Sequence, residues 1–311
     1  METTIFNLGI AQSITKAASK QTYYTIRFLV DRERVADAYR AYAYFRWVDD
    51  TLDAESGSGP ERSAFINRQK SLLENCCRGE FARDATIEEQ LLIDLIRNDA
   101  DKESGLKTYL YNMMAVMSFD AGRRGRVILQ SELNDYTHWL ASAVTECLHH
   151  FIGHCCYSPR NEARYWAVTA AHITHMLRDT IDDNQAGYFN IPGEVLDANH
   201  ITPHDIKSDA YRAWVRSRVQ LARTYFKAGR VYLNQVENAR CRLAGMAYTA
   251  RFECVLDSIE KDGYILRAAY PERKGLRAIL RAGGSMLPSL FIRQAKPSVL
   301  KPVQARQRSS R

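Results

Sequence analysis

The sequence lacks several features that would place the protein in other classes. No run approaches the roughly 18 apolar residues of a membrane-spanning helix. The N-terminal METTIFNLGI lacks the basic and then apolar pattern of a signal peptide. The seven cysteines include neighbouring pairs but no CxxC spacing, which indicates reduced thiols rather than a disulfide framework. These absences together predict a cytoplasmic protein.

Proline and linker segments are scarce as well. None of the eight prolines lies between Pro60 and Pro159, and no Pro/Gly/Ser-rich linker separates two halves of the chain. No stretch alternates between apolar and polar residues as a half-buried strand would. At 311 residues and 46% hydrophobic composition, the chain is long enough to bury a sizeable core. These features predict one all-α domain over residues 1–295.

Helical periodicity and breakers predict where the helices lie. A first helix is expected over 9–29, and a second runs from Asp31, as its N-cap, to the Ser-Gly run at 56–60. Ser131, followed by Glu132, is a further candidate N-cap. Apolar residues at helical spacing predict the remaining helices, over 61–78, 86–98, 104–121, 133–155, 160–184, 205–239, 240–262 and 272–295.

The positive charge is concentrated at the C-terminal end. From Arg273 to Arg311 there are ten Lys/Arg and no Asp/Glu, so this end carries +10 and the rest of the chain −3 (7 minus 10). Residues 296–311 are predicted to form a basic, disordered tail. The preceding GLRAILRAGGSMLPSLFI is either a final core helix or an element that makes peripheral contact with a membrane. Nucleic acid is not expected as a partner, since no recognisable binding motif accompanies the charge.

Two acidic pairs share one spacing. Asp179 and Asp183 stand four residues apart, so on a helix they share one face. One such pair is weak evidence, because many of the 36 acidic residues fall at this spacing and most are solvated. Asp49 and Asp53 repeat the spacing, however, 130 residues earlier (179 minus 49). Two acidic faces that meet on folding can hold hard divalent cations, and Mg²⁺ held in this way shares its shell with substrate phosphates.

Each acidic pair follows an arginine. Arg46 lies three residues before Asp49, and Arg178 directly precedes Asp179. A guanidinium next to such a site can bind phosphate oxygens in a charge-assisted way. The same spacing equally suits an ordinary helix ion pair between Arg46 and Asp49 or Asp50.

At these residues the chain resembles the squalene and phytoene synthase family of all-helical isoprenoid synthases. The family's first acidic motif, an arginine followed by Asp-x-x-x-Asp, matches Arg46, Asp49 and Asp53. The second motif is similar to Leu177, Arg178, Asp179, Asp183, Gly187, Ile191 and Pro192. The family's Tyr-x-x-x-Val-Ala helix resembles Tyr136, Leu140 and Ala141, and its Ser-x-x-Phe segment resembles Ser19 to Tyr23 with Lys20 as a basic partner. The resemblance implies a helical bundle around a central cavity.

The chain also departs from the family pattern. His172 and His175 stand where the family has amides, and a zinc site is not expected because histidines three residues apart without a nearby Glu are more typical of polar helix positions. Where the family has Arg and Tyr before its Leu-Pro, this chain has Tyr188 and Asn190. The first acidic motif is thus intact, while the pocket for a second substrate is altered.

The resemblance implies a Mg²⁺-dependent prenyltransferase. Mg²⁺ ions would bind the diphosphate of an allylic substrate through four carboxylates: Asp49, Asp53, Asp179 and Asp183. Phosphate oxygens would contact Arg46, Arg178 and Lys20. The allylic cation would lie against aromatic faces, for which the candidates are Tyr42, Phe45, Tyr136 and Trp139. Without the resemblance, aromatic residues at this helical spacing are more typical of an ordinary core, and Trp139 in particular fits a core position.

Several reactions remain open at this point. The family captures the cation with a second prenyl diphosphate, head to head. The altered second-substrate motif also suits transfer to a small non-prenyl acceptor, such as an aromatic molecule. A cyclase that uses one prenyl diphosphate is a third possibility, and a non-catalytic assembly or lipid-binding factor is a fourth. The four intact aspartates argue against the last of these.

Overall fold

The prediction of an all-α protein is confirmed. The computed structural model describes residues 2–54, 59–100 and 104–271, and these ranges contain eleven α-helices and no strand. The helices are α1 (Glu2–Ala18), α2 (Lys20–Leu29), α3 (Val35–Asp53), α4 (Gly59–Cys77), α5 (Ile87–Asn98), α6 (Gly105–Arg123), α7 (Gln130–Phe151), α8 (Ala163–Ala186), α9 (Gly193–Asn199), α10 (Asp209–Gln235) and α11 (Ala239–Lys261).

The prediction of one helix over 9–29 is wrong, because the chain breaks at Ser19. This residue has an extended backbone (φ −152°, ψ 100°), and its hydroxyl accepts a hydrogen bond from the Thr22 N–H at 3.2 Å. The side chain thus caps α2 in place of a continuing helix. One consequence for the site is that Lys20 is the first residue of a separate helix, α2.

Asp31 does not cap α3 as predicted. A 3₁₀ turn, Arg32–Arg34, separates it from the helix, which begins at Val35. The buried carboxylate instead accepts from the Gly153 N–H at 2.8 Å and from the Arg240 guanidinium at 2.5 Å. Burial alone would raise the pKa of Asp31, but these bonds outweigh it and hold the pKa below its ordinary value. A buried acid just before α3 therefore connects the segment that follows α7 to the first turn of α11.

Other helix boundaries differ from the prediction for similar local reasons. Ser131 lies inside α7, and Glu132 does the capping: its carboxylate accepts from the Leu129 N–H at 2.8 Å. Ser208 caps α10, which begins four residues later than expected. The predicted helix over 272–295 and the predicted tail over 296–311 lie outside the described residues, so both stay predictions. No helix in the described ranges is long and apolar enough to cross a membrane.

Helix α8 is held in place by close packing against α10. Gly229 of α10 lies so near α8 that a Cβ added there would stand 2.7 Å from both the Cβ and the backbone nitrogen of Ala167. Small residues on the facing side of α8, among them the buried Ala170 and Ala171, continue this contact. Close approach of two backbones fixes the rotation of α8, and with it the direction of its carboxylates.

This packing gives a prediction for stability. Gly229→Ala should destabilise the protein by about 1–3 kcal/mol, because the added methyl group must displace backbone as well as a side chain. Gly9→Ala is the matched control: its site is exposed on α1, with no described atom within 4 Å of an added Cβ. That change should stabilise the protein by roughly 0.5–1 kcal/mol, because alanine has a higher helix propensity than glycine. Urea unfolding of both variants measures the change in the free energy of unfolding. An unchanged free energy of unfolding for Gly229→Ala would contradict the packing argument.

Candidate functional site

The first acidic motif lies at the C-terminal end of α3. Asp49 and Asp53 line a polar chamber of about 380 Å³. Arg46, one turn earlier, donates to the Asp49 carboxylate at 3.1 Å and also binds Asp50. The helix ion pairs that the sequence allowed are therefore formed. Arg46 is 40% exposed, so its guanidinium remains accessible from solvent.

The second acidic motif lines the same chamber from α8. Asp179 and Asp183 face it, together with His172, His175 and Met176. The structure thus brings together the two aspartate pairs that are 130 residues apart in sequence (179 minus 49).

A sharp turn follows α8 and closes one side of the chamber. Gly187 has a left-handed backbone (φ +85°), which a residue with a side chain rarely adopts. The turn places the Tyr188 N–H 2.7 Å from the Asp183 carbonyl oxygen. As a result Tyr188 and Asn190 also line the chamber. The predicted Gly-to-Pro closing segment is therefore a wall of the site as well as a helix stop.

A chain of hydrogen bonds connects the second motif to two other helices. The Tyr136 hydroxyl of α7 donates to Asp120 of α6 at 2.9 Å, and the Arg123 guanidinium donates to the same carboxylate at 2.6 Å. Arg123 also donates to the Asn190 side-chain oxygen at 2.9 Å. The Asn190 amide then donates to Asp183 at 2.7 Å. The orientation of Asp183 thus depends on a buried network that spans three helices and a loop.

Asp120 and Arg123 are site residues that sequence reasoning missed. Their segment, DAGRRGR, indicates only a break between two helices. An Asp and an Arg three residues apart are typical of a surface ion pair. In the structure, however, Arg123 is only 5% exposed, and both residues line the chamber. The three arginines that follow an aspartate in this segment were an available signal, but their pattern did not indicate that any of these side chains would be buried.

Burial and the repulsion between carboxylates raise the pKa values of three aspartates in the chamber. Burial and the nearby charge of Asp53 raise the pKa of Asp49 to about 6, although Arg46 opposes this. Burial and the charge of Asp179 raise the pKa of Asp183 to about 7. Burial likewise raises the pKa of Asp120 above its ordinary value. The chamber therefore holds more negative charge than its own arginines neutralise, which favours binding of cations.

Asp179 behaves differently from its partner. Burial would raise its pKa, but hydrogen bonds from Arg178 and His175 outweigh that effect and keep the pKa below its ordinary value. The His175 Nε2 lies 2.9 Å from the carboxylate. Arg178 binds the same carboxylate from the other side and lines a separate cleft with Asp182 and Tyr270. The structure does not place Arg178 in the chamber, because consecutive helical residues point about 100° apart.

The donor set suits a hard divalent cation. The chamber offers carboxylate oxygens from three helices, which are the ligands that Mg²⁺ prefers. They do not converge in one compact cluster: among described residues, a group of three or more ligand atoms within 4.8 Å of one another is formed by Asp31, Glu33 and His154. In that group, Arg240 already neutralises Asp31. Carboxylates spread around a chamber fit ions that take one or two protein oxygens each and complete their shell with phosphate and water.

An apolar cavity of about 430 Å³ adjoins the chamber. The two share Asp49 and Met117 as lining residues. The predicted aromatic residues Tyr42 and Phe45 line this cavity rather than the chamber. Most of the other walls are apolar and come from α2, α6, α7 and α11, among them Leu29, Tyr109, Met113, Leu140, Val144, Leu148 and Ala247. A charged space and an apolar space thus meet at Asp49.

Two further predicted residues do not line either cavity. Lys20 is the first residue of α2, and its side chain is exposed to solvent, whereas its neighbours Gln21 and Thr22 line the apolar cavity. Trp139 packs edge-on against Phe119, with ring centroids 6.2 Å apart, in a cleft outside the site. Their proposed roles in substrate binding therefore have no geometric support.

Comparison with known proteins places this geometry in context. A model of the squalene/phytoene synthase family matches residues 15–277, which include both acidic motifs. The crystal structure of squalene synthase HpnC from Alicyclobacillus acidocaldarius is similar, with a TM-score of 0.68 at 21% identity over 84% of this chain and 95% of that chain. The crystal structure of a dehydrosqualene synthase with a bound ligand is also similar, with a TM-score of 0.70 at 16% identity over 92% of this chain and 97% of that chain. At these identities the two structures show the shared fold. No curated protein sequence matches significantly.

The raised pKa of Asp183 gives a prediction for stability against pH. Its folded value of about 7 exceeds the ordinary 3.8, so between these values the folded state binds more protons than the unfolded state. Stability from this group is thus fully present below about pH 4 and is lost as pH rises toward about 7. Asp183→Asn removes the titration. In EDTA, the melting temperature of the variant relative to wild type should rise by about 2 °C or more between roughly pH 5 and pH 8.

Asp182→Asn is the control for this experiment, because Asp182 is the exposed neighbouring carboxylate outside the chamber. Its melting temperature relative to wild type should not change over the same range. A pH-independent difference for Asp183→Asn would contradict the assigned protonation.

Proposed function

The chain belongs to the squalene/phytoene synthase family and is a prenyltransferase that releases diphosphate; on this premise we propose that it uses Mg²⁺ to ionise an allylic prenyl diphosphate and joins the cation head to head to a second prenyl diphosphate. One observation carries the proposal: the acidic chamber opens beside an apolar cavity, and Asp49 lies at their junction. A prenyl diphosphate has the same division, with a charged head on an apolar chain.

The charged head fits the acidic chamber only together with cations. Two aspartate pairs face each other there, and a diphosphate alone would be repelled by them. Divalent ions bound by Asp49, Asp53, Asp179 and Asp183 would neutralise the leaving diphosphate and lower the barrier to carbon–oxygen cleavage. The hydrogen-bond chain from Tyr136 to Asp183 keeps the second carboxylate oriented before substrate binds. Such preorganisation avoids rearrangement during the reaction.

The apolar cavity suits the rest of the substrate and the cation. Tyr42 and Phe45 present aromatic rings to it, and Tyr136 lines the chamber on the other side of the junction. Aromatic faces stabilise cations by about 0.5–2 kcal/mol each, more when water is excluded. Apolar walls also limit premature capture of the cation by water. The predicted role of these three aromatic residues therefore remains part of the proposal.

A second candidate differs only in the acceptor. Asn190 stands where the resembling family has a tyrosine; its side-chain oxygen accepts from Arg123, and its amide nitrogen donates to Asp183. His172 stands in the same chamber in place of an amide. These differences affect the wall next to the diphosphate site, so the second candidate is prenyl transfer to a small non-prenyl acceptor. Family membership and the four aspartates argue against a non-catalytic assembly or lipid-binding factor.

A product assay separates the two candidates. The purified protein is incubated with Mg²⁺ and allylic diphosphates of five, ten, fifteen or twenty carbons, each without another acceptor. A thirty- or forty-carbon hydrocarbon would establish head-to-head condensation and name the donor. Slow diphosphate release with prenyl alcohol as the product would favour the second candidate. A cyclic product of unchanged carbon number would favour a cyclase, and no release from any donor would contradict ionisation altogether.

Substitution of the aspartates tests the site assignment. Asp49→Asn and Asp179→Asn should each lower the rate of diphosphate release by roughly 10²-fold or more, because each removes a charged ligand worth several kcal/mol in the transition state. Asp182→Asn, next to Asp183 but outside the chamber, is the matched control and should keep most of the activity. Release at the wild-type rate from both chamber variants would show that the ions bind elsewhere.

A further inference from the structure

His172 is a buried histidine without a hydrogen-bond partner. Its side chain is 4% exposed and lines the acidic chamber. Within the described part of the chain, neither ring nitrogen has a hydrogen-bond partner. Burying two ring nitrogens without hydrogen bonds costs on the order of several kcal/mol of folding free energy, so a functional reason for this histidine is expected. A histidine that served only to pack the core would be expected to form at least one hydrogen bond.

The position of His172 on α8 is informative. It lies seven residues before Asp179, two helical turns along the same face, and three residues before His175. His175 binds the Asp179 carboxylate, whereas His172 packs against the Tyr136 ring with centroids 5.1 Å apart. His172 therefore lies one turn further along α8 from Asp179 than His175 does. The part of a substrate that follows the diphosphate, where positive charge develops, would lie at this level.

The surroundings of His172 keep the imidazole neutral. Burial lowers its pKa to about 3, and the positive charges of His175, Arg123 and Arg218 act in the same direction. A neutral imidazole has one nitrogen that can accept a proton. Such a ring is a weak base toward water. It is nevertheless strong enough to deprotonate a carbocation, because a carbon–hydrogen bond beside a cationic carbon is far more acidic than an imidazolium ion.

We propose that His172 is a catalytic base that ends the reaction by removing a proton from the final carbocation. The carbon–hydrogen bond next to the cationic carbon breaks, and its electron pair forms a new carbon–carbon double bond. The proton passes to the free ring nitrogen, and the low basicity of the buried ring returns it readily to water or to the departing diphosphate. The step needs no oxidant or reductant. It deepens the proposed function and rests on it.

Product analysis tests this role. His172→Phe keeps a planar ring but has no acceptor nitrogen, and His172→Gln keeps polarity without a comparable base. Neither change removes a carboxylate, and diphosphate release is measured for each variant so that the product shares are compared per diphosphate released. The share of products formed by proton loss should fall about tenfold or more, in favour of alcohols formed by water capture. His138→Gln, an exposed histidine on α7, is the matched control and should leave the product ratio unchanged.

A donor deuterated at the carbon that loses its proton gives a second readout. With wild type, deuterium should shift products from the alkene toward the alcohol, because proton loss competes with water capture. In His172→Phe this isotope-sensitive shift should disappear along with the alkene. A merely structural role for His172 would change overall rates but not this branching.

Three outcomes would overturn the proposal. Alkene formation at the wild-type share in both variants would identify another base, such as the released diphosphate. Wild-type products that retain every donor hydrogen would show that no proton is lost. If the melting curve shows that His172→Phe does not fold, the product ratio of His172→Gln alone serves as the test of the first outcome. Absence of diphosphate release by wild type with every donor would instead refute the proposed function itself, and the role of His172 with it.

Discussion

The repulsion among carboxylates in one half-buried chamber is the constraint on which the rest of this structure depends. Asp49 and Asp53 of one helix, Asp179 and Asp183 of another, and Asp120 of a third line it together. Burial and the charge of neighbouring carboxylates both disfavour the ionised forms, so the pKa values of Asp49 and Asp183 are raised to about 6 and about 7. The arrangement is unfavourable for the protein alone. It becomes favourable when positively charged ligands enter, which is the usual relation between stability and function at an active site.

The fold provides the free energy that this arrangement requires. Helix α8 cannot turn its carboxylates away from the chamber, because α10 approaches it closely at Gly229 and Ala167. At the other end of α8, the left-handed Gly187 returns the chain so that Asn190 holds Asp183. Arg123, buried between α6 and this loop, connects Asn190 to Asp120. Packing fixes the helix and polar contacts fix the side chains, so neither alone would keep the carboxylates facing one another.

The sequence predicted the parts of the site that repeat along one helix, and it failed where the site depends on distant contacts. Spacing of four residues was enough to place Asp49 with Asp53 on one face, because helix geometry is local. The same geometry explains the different positions of the two arginines. Arg46 lies three residues from Asp49 and shares its face, whereas Arg178 is adjacent to Asp179 and points elsewhere. The burial of Arg123 could not be read from its own segment, since it arises from the loop after α8, more than sixty residues away.

The junction between the chamber and the apolar cavity limits what chemistry can follow ionisation. Asp49 belongs to both spaces, so a cation released from a diphosphate bound there would form at the boundary between charged and apolar walls. Toward the chamber, carboxylates and the departing diphosphate attract positive charge. Toward the cavity, Tyr42 and Phe45 offer only weaker stabilisation by aromatic faces. The cation should therefore stay near the boundary, where Tyr136 and His172 form the adjacent wall. His172, which stands where the resembling family has an amide, is therefore the residue of this wall that would act on the cation after the diphosphate has left.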